Sequence, residues 1–330
     1  FNGKENKIMQ NELSDEQKQV LEMCHRVIRE IKKVIIGKDD IIIKVLLSVL
    51  AGGHVLIEDI PGVGKTTLAL ALSKALSLEY KRVQFTPDVL PSDLTGFMAL
   101  NKKTGEFEYK SGAALTNLFL ADEINRTSSK TQSALLEVME EGKVTVDGKT
   151  YKTPDPYIVI ATQNPIGSIG TQMLPESQMD RFIVRLTMGY PSLQNEVQML
   201  KSKHAQVSID EVQPVSSAVQ VSRAVAVTDD IYVADPVFEY IASLAAATRN
   251  HPCVRLGLSP RGTIALLKMT KATALLNGRD FAIPDDTLYA FKDVCMHRIL
   301  LNSKAKINGM NTESVLKEIV AAVQIPKIKR

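Results

Sequence analysis

The sequence predicts an α/β core with a central parallel five-stranded sheet, followed by a small all-helical domain. Five short apolar runs alternate with helix-forming segments over the first 190 residues, and such alternation is typical of parallel strands joined by helices. Beyond residue 190 strand-like runs nearly vanish, and apolar residues recur at helical spacing. A glycine-rich loop at residues 59–66 separates the first apolar run from a helix.

The composition is that of a globular protein long enough for two packed units. The chain has 330 residues, 45% of them hydrophobic, and a net charge of +3. Because basic and acidic residues are interspersed, the charge pattern gives little reason to expect a nucleic-acid partner. The basic tail at residues 327–330 is interpreted as a solvated end.

Cysteine usage and hydropathy predict a cytoplasmic protein without a membrane span. Cys24, Cys253 and Cys295 are odd in number and far apart, which fits reduced thiols rather than disulfides. The apolar stretch at residues 41–50 contains Lys44 and is too short to cross a bilayer.

The elements of the core follow from capping signals and spacing. Ser14 and Gln17 form a capping-box pattern for a helix over residues 14–35, and Asp39 or Asp40 is expected to cap a second helix through Leu50. The predicted order continues with a strand over residues 54–58, a helix to about residue 76, a strand over 82–85, a polar loop over 87–96, a strand over 118–121, a helix over 130–141, and strands over 157–161 and 182–186.

Two β-hairpins are predicted as insertions into this core. Residues 97–100 and 106–109 flank a turn-rich joint, which makes a hairpin plausible. The second hairpin has the stronger signal, because Asp147-Gly148 separates its strands and suits a type I′ turn.

The domain boundary is predicted at residues 189–192, which divides the chain into a core over 1–190 and a lid over 191–330. Pro191 breaks the pattern, and Ser192 can cap the helix that follows. Residues 215–227 alternate Val with Ser, a pattern that also fits a strand, but they favour a helix capped by Ser216 or Ser217. Further helices are predicted over 236–248, 260–276 and 285–301.

The glycine-rich loop has the features of a phosphate-binding loop. Gly62 and Gly64 allow a tight turn that points backbone N–H groups and a helix N-terminus at an anion. Lys65 can reach the β- and γ-phosphates of a nucleotide, and the Thr66 hydroxyl can ligate Mg²⁺. Asp59 departs from the usual motif, which has glycine at that position.

Two further apolar runs end in polar residues that can do chemistry. Asp122 and Glu123 follow residues 118–121, so that Asp122 can hold Mg²⁺ and Glu123 can polarise the attacking water. Asn164 follows residues 157–161 and can orient that water. Each run also has a simpler interpretation, an acidic turn for the first and an Asn-Pro turn for the second.

Taken together, these motifs resemble those of the MoxR-type AAA+ ATPases, in the branch that carries an extra hairpin in the second core helix and another before the sensor-1 residue. The resemblance covers about residues 30–300. It rests on Asp59-Ile60-Pro61-Gly62-Val63-Gly64-Lys65-Thr66, Leu90-Pro91-Ser92-Asp93-Leu94-Thr95-Gly96, Ala121-Asp122-Glu123-Ile124-Asn125-Arg126, Ala161-Thr162-Gln163-Asn164-Pro165, Pro175-Glu176-Ser177-Gln178-Met179-Asp180-Arg181-Phe182 and Leu258-Ser259-Pro260-Arg261-Gly262. A residue other than glycine at the position of Asp59 is common in that family.

The resemblance implies roles for particular residues. Asn164 matches sensor 1, Arg181 matches an arginine finger offered to a neighbouring subunit, and Arg261 matches sensor 2 in the lid, which is expected to close over the nucleotide. Without the family match, each arginine would more simply form a surface salt bridge. Arg126 is a further candidate at the subunit interface. The predicted nucleotide-binding set is Ile36 and Gly37 beside adenine, Pro61, Gly62, Val63, Gly64, Lys65, Thr66 and Thr67 in the loop, and Arg261.

The function implied by the resemblance is magnesium-dependent ATP hydrolysis by a ring of six subunits that remodels a protein client. Partners with a von Willebrand factor A domain are a further implication of the family. Two other functions stay open. One is a binding scaffold whose conformation is set by nucleotide with little turnover, and the other is a DNA motor, which the near-neutral charge disfavours.

Overall fold

The computed structural model describes residues 13–164, 174–204 and 208–326. Pro165 and the basic tail at residues 327–330 lie outside the described residues. The helices are α1 (Asp15–Lys32), α2 (Asp39–Leu50), α3 (Lys65–Ala75), α4 (Pro91–Thr95), α5 (Ser129–Glu141), α6 (Glu176–Met179), α7 (Leu193–His204), α8 (Ala218–Asp229), α9 (Asp235–Asn250), α10 (Pro260–Leu276), α11 (Pro284–Cys295), α12 (Ser303–Ile307) and α13 (Thr312–Ala322), with 3₁₀ turns at Ile124–Arg126 and Ile209–Glu211. The strands are β1 (His54–Glu58), β2 (Tyr80–Gln84), β3 (Gly96–Leu100), β4 (Phe107–Ser111), β5 (Leu118–Asp122), β6 (Lys143–Val146), β7 (Lys149–Lys152), β8 (Ile158–Gln163), β9 (Phe182–Leu186), β10 (Val254–Leu256) and β11 (Leu300–Leu301).

The predicted five-stranded parallel sheet is confirmed. Its strands run in the order β2-β5-β8-β1-β9, and every neighbouring pair is parallel. The carboxyl ends of β1, β5 and β8 therefore meet at one edge of the sheet. Ligands of open α/β sheets bind at this edge.

Alternating side chains of the sheet enter two hydrophobic clusters. On β5, Leu118 and Leu120 belong to a cluster shared with α1, α2, α3 and the helices beyond residue 193, whereas Phe119 and Ala121 pack on the other face against α5. All residues of β5 are buried, which explains why this strand reads as a continuous apolar run. One cluster thus joins the sheet to the helical C-terminal part.

Both predicted hairpins are present, as β3–β4 and β6–β7. Asp147 and Gly148 have φ values of +48° and +76°, the positive values that a type I′ turn requires. The rings of Tyr109 and Tyr151 stack with centroids 3.8 Å apart, so the two hairpins support each other.

The capping signals were right at two helices and wrong at one. Ser14 makes the predicted capping box at α1, and Ser217 caps α8. At α2, however, the N-cap is Lys38, with no side-chain cap bond. Asp39 and Asp40 lie in the first turn, where carboxylates favour the positive end of the helix dipole.

Three local features differ from the prediction. The polar loop over residues 87–96 contains the short helix α4, in which Pro91 occupies the first turn. The helix predicted over 285–301 ends at Cys295, because the chain then turns so that His297 and Arg298 contact the backbone of β9. Residues 300–301 instead form β11, which pairs with β10, so the helical lid also contains a short two-stranded ribbon.

His297 lies buried where the lid meets β9, and it makes stability depend on pH. Its Nε2 donates to the Phe182 carbonyl at 3.0 Å, while Nδ1 has no hydrogen-bond partner among the described residues. Burial, with the nearby Arg298 charge, holds the pKa of His297 well below its usual value. The unfolded chain therefore binds a proton that the folded chain excludes, and stability falls as pH drops below about 6.5.

We expect the melting temperature to fall between about pH 7.5 and pH 5.5 by more in the unchanged protein than in His297→Gln, which keeps a donor for Phe182 but does not titrate in that range. Thermal unfolding of both proteins at the two pH values measures the difference. Equal losses would exclude His297 as the source.

Within the described ranges, no helix is both long and apolar enough to span a membrane.

Candidate functional site

The loop between β1 and α3 has the backbone of a phosphate cradle. Gly62 and Gly64 have φ values of +85° and +97°, and Gly64 is the N-cap of α3. Residues with a side chain rarely adopt such positive φ values, so glycine is required at both positions. Lys65 Nζ donates to the carbonyls of Asp59 at 2.6 Å and Ile60 at 3.1 Å.

Asp59, which stands where the usual motif has glycine, connects the loop to the chain beyond β9. Its carboxylate is buried and accepts hydrogen bonds from the N–H groups of Ile60 at 2.8 Å and Gly189 at 2.6 Å. The departure from the motif therefore has a structural role, since it ties the phosphate loop to the predicted domain boundary.

Two adjoining cavities flank the loop. The first has a volume of about 750 Å³ and a mostly apolar lining: Val34, Ile35, Ile36, Lys38, Pro61, Gly62, Val63, Gly64, Thr67, Tyr190, Pro191, Leu193, Glu196, Val197, Met199 and Leu200. The second has a volume of about 370 Å³ and a polar lining: Pro61, Gly62, Gly64, Lys65, Thr66, Thr67, Arg82, Gln84, Asp122, Glu123 and Asn164. Three loop residues, Pro61, Gly62 and Gly64, and Thr67 of α3 line both cavities, so an elongated molecule with an apolar ring and an anionic end fits across them.

Of the two predicted adenine contacts, Ile36 and Gly37, only Ile36 is among the described residues that line the apolar cavity. Gly37 lies instead against the Asn195 amide of α7, where a Cβ would overlap that side chain. Lys38 was missed by the sequence reading. Its Nζ donates to the carbonyls of residues 188–190.

A threonine on the neighbouring strand orients the two acids at the end of β5. Thr162 Oγ1 donates to Asp122 Oδ1 at 2.6 Å and accepts from the Glu123 N–H at 2.8 Å. Glu123 itself has a φ of +57°, a strained value for a residue other than glycine, and such strain is concentrated at functional sites. Burial lowers the pKa of Lys65, while Asp59, Asp122 and Glu123 act in the opposite direction.

Arg82 and Gln84 of β2 also line the polar cavity and were missed by the sequence reading. Arg82 Nη2 lies 2.7 Å from Asp122 Oδ2. A signal was present, because alternation along a strand puts residues 82 and 84 on one side and the apolar residues 83 and 85 on the other.

Glu123 and Asn164 have neighbours that the motifs alone did not reveal. Arg126, expected at a subunit interface, forms an ion pair with Glu123 at 2.8 Å. Asn164 lines the polar cavity, and its main-chain carbonyl accepts from the buried Asn125 side chain at 3.2 Å.

The two remaining predicted site residues, Arg181 and Arg261, lie together on Glu140 of α5. Arg181 Nε and Nη2 are each 2.9 Å from Glu140 Oε2, and Arg261 Nη2 pairs with the other carboxylate oxygen. Although desolvation opposes it, the two guanidiniums hold the pKa of Glu140 below its usual value.

The structure does not bring Arg261 into the phosphate cavity of its own chain, as a lid closing over that nucleotide would require. Neither Arg261 nor Arg181 is among the described residues that line this cavity. The reason is the position of α10, whose N-cap Ser259 donates to Asp180 at 2.9 Å and so holds the first turn beside the start of β9.

Comparison with known proteins agrees with this geometry. Residues 54–184 match the ATPase family associated with various cellular activities (AAA), and residues 246–319 match the AAA lid domain. Chaperone MoxR1 of Mycobacterium tuberculosis is 34% identical over 312 residues, which cover 92% of this chain and 82% of that protein. The chain belongs to the MoxR-type AAA+ ATPases.

Other similar proteins span nearly the whole chain of this MoxR-type ATPase. YeaC of Bacillus subtilis is 48% identical over 301 residues, covering 91% of this chain and 94% of that protein. A crystal structure described as an ATPase from Cytophaga hutchinsonii has a TM-score of 0.88 at 35% identity, covering 94% and 97% of the two chains. The predicted AAA+ fold, nucleotide binding and ATPase activity are thereby confirmed.

Proposed function

We propose that ATP lies across both cavities, with adenine beside Ile36 in the apolar one and the phosphates on the loop in the polar one. The shared loop residues and the two positive-φ glycines support this placement, because they put backbone N–H groups between the cavities. Lys65 then contacts the β- and γ-phosphates. Gly37 supports the adenine pocket by its close packing on α7.

The hydrolytic roles follow from the polar cavity. Glu123 accepts a proton from the attacking water, and Asn164 orients that water. Thr66 and Asp122 fit Mg²⁺, because a hydroxyl and a carboxylate oxygen leave room for the phosphates and water that this ion prefers. Bound there, Mg²⁺ would neutralise charge that develops on the β- and γ-oxygens.

Arg181 and Arg261 act on the nucleotide of a neighbouring subunit. The observation that carries this proposal is their joint position on Glu140, outside the described lining of the phosphate cavity in their own chain. The side chains of Arg181 and Arg261 remain 27% and 46% exposed, so a second copy of the chain can reach them. Each nucleotide site is then completed between two chains of a ring, which we propose contains six.

The work done by the ring is proposed to be remodelling of a protein client. The relative named Chaperone MoxR1 supports this role. The β3–β4 hairpin supports it too, since Phe97, Leu100 and Phe107 are each more than half exposed and offer apolar contacts. A partner with a von Willebrand factor A domain and a cytoplasmic location remain predictions from the sequence.

Shared sites make turnover depend on assembly. We expect the ATPase activity per chain to rise with protein concentration and to level off where light scattering shows complete rings. Binding of a fluorescent ATP analogue serves as the control, because each chain carries its own phosphate loop and should bind at every concentration.

A nucleotide-regulated scaffold with little turnover predicts a different result. Its activity per chain would stay low and constant as rings form. That outcome would contradict the assignment of Arg181 and Arg261 to a neighbouring site.

A further inference from the structure

A buried arginine joins the lid to the start of β9, directly beside Arg181. Arg298 is only 4% exposed. Its Nε donates to Asp180 Oδ1 at 2.6 Å, and its two other nitrogens donate to the carbonyls of Asp180, Phe182, Ile183 and Val294 at 2.6–3.0 Å. A buried charge is tolerated only when it is paired and its donors are satisfied, and this arginine meets both conditions.

The same contacts reach the helix that carries Arg261. Asp180 Oδ2 accepts from Ser259 Oγ at 2.9 Å, and Ser259 Oγ in turn accepts from the Gly262 N–H at 3.0 Å as the N-cap of α10. Gly262 has no room for a side chain, because a Cβ there would lie 2.5 Å from Cδ1 of Leu258 and 2.8 Å from Cδ of Arg298. The first turn of α10 is therefore fixed against Arg298 and Asp180.

Arg181 and Arg261 are thus each held at the backbone and at the guanidinium group. Their backbones are joined through Asp180, Ser259 and Arg298, and their guanidiniums meet on Glu140. Long exposed arginines sample many rotamers, and they lose this conformational entropy when a ligand fixes them. If they are held in one arrangement before the ligand arrives, less entropy is lost on binding.

We propose that Arg298 is a positioning residue, which sets the spacing of Arg181 and Arg261 so that both meet the nucleotide of the neighbouring subunit together. The inference rests on the proposed action of these arginines between subunits. Nothing in the motifs indicated Arg298, whose role becomes visible only through its buried contacts with β9.

The test replaces Arg298 by lysine. A lysine ammonium can still pair with Asp180 but cannot reach the four carbonyls in a planar fork. Because displacement of a reacting group by about 1 Å costs roughly a hundredfold in rate, we expect kcat to fall by about that factor. Arg279→Lys is the matched control. It alters another lid arginine paired with a buried carboxylate, Asp286, at the opposite end of α11, and should keep its activity.

Mixed rings separate positioning from general stability. Glu123→Gln lacks the base but keeps its arginines, whereas Arg181→Ala keeps the base but lacks one arginine. Mixing these two inactive proteins should restore part of the activity. Arg298→Lys keeps its own nucleotide site, so its ATPase activity should recover when Glu123→Gln supplies intact arginines. Mixed with Arg181→Ala, which supplies no complete pair, it should stay inactive.

Each result is decisive. If the reference mixture of Glu123→Gln and Arg181→Ala does not regain ATPase activity, the arginines do not act between subunits. The proposed function is then wrong, and the positioning role falls with it. If that mixture recovers, normal activity of Arg298→Lys alone, or its failure to recover with Glu123→Gln, overturns the positioning role.

If Arg298→Lys does not fold, as judged by circular dichroism, Ser259→Ala decides the question. This variant breaks the link between Asp180 and α10 but leaves Arg298 paired. The same recovery pattern supports the proposal, and full activity of Ser259→Ala alone contradicts it.

Discussion

Replacing Arg181 by alanine is expected to lower the kcat of ATP hydrolysis by roughly 10³- to 10⁵-fold, with little change in nucleotide affinity. In phosphoryl transfer negative charge spreads over the γ-phosphoryl oxygens, and a guanidinium placed there stabilises the transition state. Arg181 is not among the described residues that line the phosphate cavity of its own chain, so binding by that chain should not need it. Phosphate release and titration with a fluorescent ATP analogue measure the two quantities.

Two further variants test whether the effect depends on the planar guanidinium of Arg181 and on its position in the fold. Arg181→Lys keeps the charge but lacks the planar fork, so its kcat should lie well below that of the unchanged protein. Arg223→Ala removes an exposed arginine paired with Glu16, outside the described lining of both nucleotide cavities, and should leave kcat unchanged. A normal kcat for Arg181→Ala would exclude the arginine-finger role.

The core could be predicted because each of its elements carries its own local signal. All of β5 is buried and apolar up to Asp122, and Asp147-Gly148 fixes the turn of the second hairpin. The end of α11 carries no such signal. It depends on the contact of Arg298 with Phe182, residues that are 116 positions apart in sequence.

The same distinction applies to the site. The phosphate loop could be predicted because its glycines and Lys65 are contiguous, and Asp122 with Glu123 because they end an apolar run. The placement of Arg261 could not be predicted, because the motif identifies the residue but does not show which side of the molecule α10 faces. Glu140 belongs to none of the motifs, and only the fold brings it to both arginines.

Replacing Glu123 by glutamine is expected to lower kcat by about 10²- to 10⁴-fold, the usual contribution of a general base, while ATP still binds. Glutamine can accept the hydrogen bond that Arg126 donates to Glu123 Oε2 at 2.8 Å, so the 3₁₀ turn after β5 should be preserved. An amide cannot take a proton from the attacking water. Phosphate release in a single turnover, measured with nucleotide binding, isolates the chemical step.

The matched control is Glu79→Gln, an exposed carboxylate beside β2 whose loss should leave kcat unchanged. If Glu123→Gln hydrolysed ATP at the normal rate, another group would have to activate the water. If it lost ATP binding as well, the change would have disturbed Asp122, since Thr162 bonds to that carboxylate and to the Glu123 N–H at once. Retained binding with lost hydrolysis therefore places the defect on the Glu123 carboxylate itself.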